Sequence, residues 1–286
     1  VSRRLDRGSL ALLPPLLAFM AFGVARIDAP VGLIGLLFDE PLAFVLISTL
    51  VAVGAAALLF VPAIERRIAG VLVPSRAPEP EERARVEAAL RRVGERAGMR
   101  THRLIIRVQD SDDLNAAAGA AHLLFVTRGG LARAGESFDA LMAHELAHHR
   151  GLHPVGAAVV LWLSLPGQAL AAVFSGLRRL GRRLTGRVPL LVVVVHVVLL
   201  AWQVLVMWVY YVGEILGAWA SRVSEYAADA TAAGWGYGSE LVALYRSLDE
   251  DPPADGLDRL AASHPPLARR IARLGPPPAS LVSRTH

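Results

Sequence analysis

The sequence predicts a mainly α-helical integral membrane protein with a small β-sheet and four transmembrane helices. Three observations carry that expectation. Four charge-free apolar stretches, Ser9 to Ala25, Pro41 to Ile64, Pro154 to Leu177 and Val188 to Gly213, each come near or above the roughly 20 residues that a helix needs to cross a bilayer. Hydrophobic residues make up 54% of the 286 positions and the mean hydropathy is +0.44, more apolar than an ordinary soluble chain. Between the apolar stretches lie amphipathic runs of helical period and two short runs rich in branched and aromatic residues.

The first apolar stretch follows Arg3, Arg4 and Arg7 and has the outline of a signal peptide, but no clean small-x-small cleavage site precedes Asp28 and a second span follows closely. We therefore assign 1–73 to an N-terminal anchor of two spans. "PSRAPEPEER" (Pro74 to Arg83) is a proline-rich, charged linker into a folded region that begins at 74. A helix follows, because Val86, Ala89, Leu90, Val93 and Ala97 recur at three and four residues with charge on the other face. "RLIIRVQ" (Arg103 to Gln109) and "HLLFVT" (His122 to Thr127) read as strands bounded by Asp, Gly and Ala clusters.

The next helix runs from Ser137 as N-cap to Gly151, with Pro154 barring continuation, so the region from 74 ends at 153. Residues 154–213 form an apolar hairpin. From 214 to 275 the sequence predicts a helix through Ala233, a glycine-broken turn "GWGYG", a short helix from Ser239 to Leu248, and "SHPPLARRIARL". The tail, 276–286, is expected to be poorly ordered.

Composition excludes several chemistries. There is no cysteine, hence no thiol nucleophile, thiolate ligand or disulfide, and any metal must be held by His, Asp or Glu. The net charge of +5 and pI near 10.3 come mostly from arginine without interleaved stacking aromatics, which favours anionic lipid headgroups over nucleic acid.

The segment "FDALMAHELAHHRG" carries the chemistry. Residues four apart on a helix share a face, so His144 and His148 can reach one ion with Glu145 beside it. Two imidazoles and a carboxylate suit a catalytic zinc, one per chain, with a position left for water, and Glu145 can take the proton of that water and pass it to a leaving amine. Leu141, Met142 and Leu146 give the helix an apolar face to bury. His149, about 140 degrees round from His144, reads as a C-terminal, dipole-facing histidine. For the third ligand, "SRVSEYAADA" offers Glu225, with Asp229 four residues on to hold the far nitrogen of a ligating histidine. Glu214 is the rival ligand, and a solvated face paired with Arg222 is the bland alternative.

"HELAH", a long hydrophobic hairpin, "SRVSEYAAD" and "SHPPLARRIARL" together resemble the HtpX-like membrane zinc metalloproteases and, more distantly, the CAAX prenyl endopeptidases of the same peptidase family. "NAAAGAAHLLFVTRGGL" looks like the family's segment upstream of the zinc helix. The resemblance covers roughly Arg83 to Leu274. It implies a gluzincin-like domain with zinc on His144, His148 and Glu225, Glu145 as general base and Asp229 supporting a ligand. It also implies an edge strand after Asn115 to which an extended peptide can add. His264 and Arg270 match the family's S-H-P-P-x-x-x-R-I segment. His264 is a candidate catalytic residue as oxyanion stabiliser or, equally, a structural one; Arg270 reads as structural. Ala116 and Ala117 replace the larger residues usual after this asparagine, and "RRLGRRLTGR" is unusually basic.

His148 and Glu225 must meet at one ion, so the chain between them crosses the membrane an even number of times. Stretches of about 24 and 26 residues favour two crossings, and a hairpin lying in the interface is the alternative. Two crossings put Arg178, Arg179, Arg182, Arg183 and Arg187 opposite the zinc side, against the positive-inside rule. The N-terminal arginines and the resemblance favour a multi-pass protein of the cell membrane with a cytoplasmic active site. His196 and Gln203 share a helical face within the fourth stretch and are expected to pack or hydrogen-bond between helices.

The expected activity is a membrane-embedded, zinc-dependent endopeptidase that hydrolyses peptide bonds of membrane-associated or misfolded proteins, with protein quality control implied by the resemblance. The partners are a protein or peptide substrate and the lipid bilayer. A narrow-specificity regulatory protease and a non-catalytic zinc-binding sensor or scaffold are the alternatives.

Overall fold

A computed structural model describes residues 6–17, 39–58, 60–159, 176, 190–248 and 264–275. Most of the third apolar stretch, the later part of the first, the basic loop from Arg178 to Arg187 and the tail from Pro276 lie outside the described residues. So do the side chains of Glu214, His196 and Gln203.

In chain order, a short helix α1 (Arg7–Ala11) capped by Asp6 precedes α2 (Pro41–Leu58) and α3 (Pro62–Leu72). Helix α4 (Pro80–Ala97) buries Val86, Ala89, Leu90 and Val93, the stripe expected from their spacing. Proline stands in its first turn, where a missing N–H costs nothing, and Gly98 ends it in the left-handed conformation at φ 63°.

Three strands follow, β1 (Ile105–Gln109), β2 (Ala116–Gly119) and β3 (Leu123–Thr127), in the order β1-β3-β2. The central β3 runs parallel to β1, with Ile106 opposite Leu124, and antiparallel to β2, with Ala116 opposite Val126. All five residues of β3 are buried because both of its faces are covered. Leu124 and Val126 enter the main core, while Leu123 and Phe125 cluster with Ala69 of α3. The β2–β3 turn is held from outside by buried Glu65, which accepts the N–H groups of Ala121 and His122 at 2.6 and 2.8 Å and meets the His122 ring at 2.8 Å.

Helix α5 (Arg128–Arg133) and a 3-10 turn (Gly135–Ser137) lead into α6 (Phe138–Arg150). Every residue of α6 from Phe138 to His149 except Asp139 is buried. The expected end at Gly151 holds, but Leu152 at φ 59° turns the corner and residues 153–159 are helical again. Pro154 thus sits in the first turn of a new helix, where proline is tolerated. Helix α7 (Leu190–Ala232) corrects the expected start after Gly213: it is one helix of 43 residues. Gly213 and Gly217 lie within it, each weakening a helix by only about 1 kcal/mol against alanine, and no proline interrupts it. A π-helical turn (Ala233–Tyr237) with Gly236 at φ 91° follows, then α8 (Gly238–Arg246) and α9 (Leu267–Leu274).

The chain divides into two compact units. The first takes in Val1–Leu12, Leu58–Ala157 and Ala218–His286 and contains the sheet, α6 and the main core. The second takes in Leu13–Ala57 and Ala158–Gly217. In it Leu42, Leu46, Ile47, Leu50 and Val51 are exposed along α2, and Val197, Val204, Trp208 and Tyr211 along α7. Among the described residues no helix is long and apolar enough to cross a membrane.

Candidate metal centre

Helix α6 projects His144 and His148 from one face, and α7 brings Glu225 against them. The two Nε2 atoms lie 3.1 Å apart, and the Glu225 carboxylate oxygens lie 3.4 Å from His144 Nε2 and 3.6 Å from His148 Nε2. Donors about 2.0–2.1 Å from a tetrahedral ion stand roughly 3.3 Å from one another, so these separations match a shared metal. All three side chains are buried. Glu225 Oε2 lies 2.7 Å from Arg270 Nη1 yet accepts no hydrogen bond, because the contact is close but misdirected. A buried carboxylate oxygen without a hydrogen bond suits a metal ligand, so the residues fit an ion. The rival Glu214 stands about three turns earlier on the same helix.

Asp229 Oδ1 lies 3.0 Å from His144 Nδ1, the nitrogen facing away from the pocket. Arg270, on α9, closes the arrangement. Its Nε and Nη2 donate to Asp229 Oδ2 and Oδ1 at 2.8 and 2.7 Å, Nη2 also donates to the Tyr245 hydroxyl, and its guanidinium stacks 4.3 Å from the Tyr245 ring. The Tyr245 hydroxyl donates to Asp229 Oδ1 at 2.6 Å. Arg270 thus fixes two carboxylates at once.

The electrostatics favour a cation. Burial opposes charging His144, but the adjoining Asp229 and Glu225 carboxylates outweigh it and push its pKa up to about 10. Burial, with the neighbouring His144 charge, pulls His148 down to about 4. Burial raises Glu225 and Asp229, yet the histidines hold Glu225 well below the carboxylate range, and Arg270 and His144 bring Asp229 to about 2.

Glu145, between the two histidines in sequence, is buried and its Oε2 accepts the backbone N–H of Ala118 at 2.6 Å. Burial, reinforced by the Glu225 charge, pushes it up to about 7. Ala118 belongs to β2, whose N–H at this position points away from β3, so Glu145 reads the outer edge of the sheet. His264 is exposed, with Nδ1 3.3 Å from Glu225 Oε1, and that hydrogen bond raises its pKa.

The sequence model of peptidase family M48 matches residues 80–276. The chain belongs to peptidase family M48. The relation expected from "HELAH" and "SRVSEYAAD" is therefore borne out at the level of the family, and the chain is a metalloendopeptidase, in a family whose members use a metal, typically zinc. Among solved structures, that of S. mikatae Ste24p is similar at 19% identity and a TM-score of 0.48, over 95% of this chain and 67% of that one. No curated protein sequence matches.

Three features around the donor cluster depart from the sequence reading or were unmarked in it. His149 is buried, and its Nε2 meets the carbonyl oxygen of Leu123 at 3.0 Å, so it ties α6 to β3 and does not face the helix dipole at the surface. Tyr245 carried no motif. His153 and Asp6 were likewise unmarked: His153 Nδ1 lies 3.0 Å from His148 Nδ1, and His153 Nε2 lies 2.8 Å from Asp6 Oδ1.

Proposed function

We propose that this M48 chain is a membrane-embedded, zinc-dependent endopeptidase that cuts extended segments of membrane-associated or misfolded proteins. The observation that carries the reading is the meeting of Glu145 with Ala118 at 2.6 Å beside the His144, His148 and Glu225 donors. On this reading a proton acceptor, a candidate cation site and a strand edge lie side by side.

His144, His148 and Glu225 would hold the zinc. When bound, the ion supplies a Lewis acid and lowers the pKa of a water to about 7. Glu145, raised toward neutrality by burial, takes a proton from the attacking water and returns it to the leaving amine. The outer edge of β2 aligns an extended substrate through its backbone. His264, with Nδ1 on Glu225, has its Nε2 as the group to steady the developing oxyanion. Asp229 and Arg270 keep His144 and Glu225 in place.

Membrane embedding is supported by the exposed large apolar side chains along α2 and α7, since clustered apolar surface marks a site of interaction with protein or membrane. Within the anchor of 1–73 and the hairpin of 154–213, residues 13–57 and 158–213 are the part assigned to the bilayer, with the site on the cytoplasmic side of the cell membrane. The test compares detergent-purified wild type with Glu145→Gln. Zinc near one per chain in both, with cleavage of an unfolded test protein by the wild type alone, is expected. Equal cleavage by both would overturn the assignment of Glu145.

A further inference from the structure

His148 offers two ring nitrogens. Nε2 faces the donor cluster, and Nδ1 faces away from it, 3.0 Å from Nδ1 of His153. The rings meet nearly edge to face, at 76°. His153 Nε2 in turn lies 2.8 Å from Asp6 Oδ1. We infer that Asp6 and His153 are positioning residues that hold the His148 ring for its metal, through a carboxylate–imidazole–imidazole chain reaching in from α1. The inference rests on the metal reading above.

The chain has one consistent direction of donation. A metal on Nε2 leaves the single ring proton of His148 on Nδ1, which must then donate. His153 Nδ1 is the acceptor, so the proton of His153 sits on Nε2 and is donated to Asp6, whose carboxylate only accepts. Each ring nitrogen of the two histidines then has one role and a partner. His144 receives the same service in one step from Asp229. Such outer partners orient a ligating imidazole and raise its basicity.

The site is built for the His153 ring. His153 is buried, 4% exposed, although it follows directly on the turn that ends α6. Gly8 on one side and Gly151 on the other approach it so closely that a Cβ on either would overlap His153 Nε2. Asp6 is itself fixed, accepting the Ser9 N–H at 2.8 Å, with the Ser9 hydroxyl 2.9 Å from its Oδ1. The same hydroxyl contacts the carbonyl oxygen of Gly151. Leu12 docks α1 by other atoms, its side chain lying against Gly156, so substitutions can separate docking from support of His148.

The full chain in detergent is titrated with zinc against a chromophoric chelator at pH 7.5, and the Tm of each zinc-free form is recorded. His153→Phe fills the space but accepts nothing, and its zinc affinity is expected to fall about 10- to 100-fold. His153→Gln, whose amide oxygen can accept from His148 Nδ1, should recover part of that loss. Asp6→Asn should weaken binding several-fold. Leu12→Ala trims the apolar contact at Gly156 and leaves Asp6, Ser9 and His153 in place, so it should lower the zinc-free Tm and leave zinc affinity at the wild-type value. Wild-type affinity in His153→Phe would overturn the inference, as would equal losses in Leu12→Ala and His153→Phe. If His153→Phe does not fold, Asp6→Asn against Leu12→Ala decides by the same criterion. His144→Ala is the separate control: if it binds zinc as the wild type does, the metal site and the inference fall together.

Discussion

Glu145 and Ala118 are joined at 2.6 Å, a carboxylate oxygen on the outward N–H of an edge strand. A residue assigned to move protons is thus steadied by the strand assigned to hold substrate. Ala118→Pro removes that N–H while sparing the β3 pairing, since proline is accepted on edge strands. Peptide cleavage should drop by at least about 100-fold, the usual worth of a positioned acid–base group, with zinc content unchanged. Undiminished cleavage in Ala118→Pro would show that Glu145 needs no such partner.

Arg270 lies buried between Glu225 and Asp229, and removing it leaves two carboxylates with one cation fewer. Arg270→Ala should lose about 3 kcal/mol in chemical denaturation of the detergent-solubilised protein. Arg270→Lys should restore only part of this, because an ammonium cannot match the forked contact to Asp229. Full recovery with lysine would reduce the role of Arg270 to its charge.

Because its neighbours raise His144 to about 10, the zinc-free protein carries a proton there at pH 7.5. Zinc must displace it, so loading should release about one proton per chain and the apparent affinity should rise about tenfold per pH unit from 6 to 8. Calorimetric titration in two buffers of different ionisation enthalpy reads the release directly. Identical heats in both buffers would refute it.

At the start of α4, Arg76 grips Glu82 through two contacts of 2.7 Å, and Glu82 also accepts the Glu79 N–H at 2.8 Å. The Arg76 hydrogen bond is the main reason that the Glu82 pKa lies below its ordinary 4.5. Its contribution is complete above the unfolded value and fades as pH falls through the lower folded one. The stability margin of wild type over Glu82→Gln should therefore be full at pH 7 and shrink below about pH 4. A margin that does not change with pH would assign it to packing.

The site was legible in sequence where helical geometry alone links residues. His144 with His148, and Glu225 with Asp229, are each one turn apart, and the period that writes them is the period of the helix. The stripe of α4 and the strands around Ile106 and Leu124 were legible for the same reason. Strand β2 was not, since "AAAG" has little strand propensity and is held by its register on β3; only family resemblance placed a strand there. His149, Tyr245 and the pair of Asp6 and His153 were illegible because their partners come from remote segments. Asp6 and His153 are 147 positions apart. Spacing carries no trace of such a meeting.

The near-complete burial of α6 means that it lacks a permissive side. In α4 a scan of substitutions should show a rhythm, with tolerance returning each time the residue swings outward, as at Glu81 or Arg91. From Ala140 to His149 that rhythm should vanish and leave an unbroken block of intolerance. Chemistry defends three of those positions and space defends the others. A segment enclosed on all sides can change only if its neighbours change with it, so this helix should be the slowest part of the molecule to diverge.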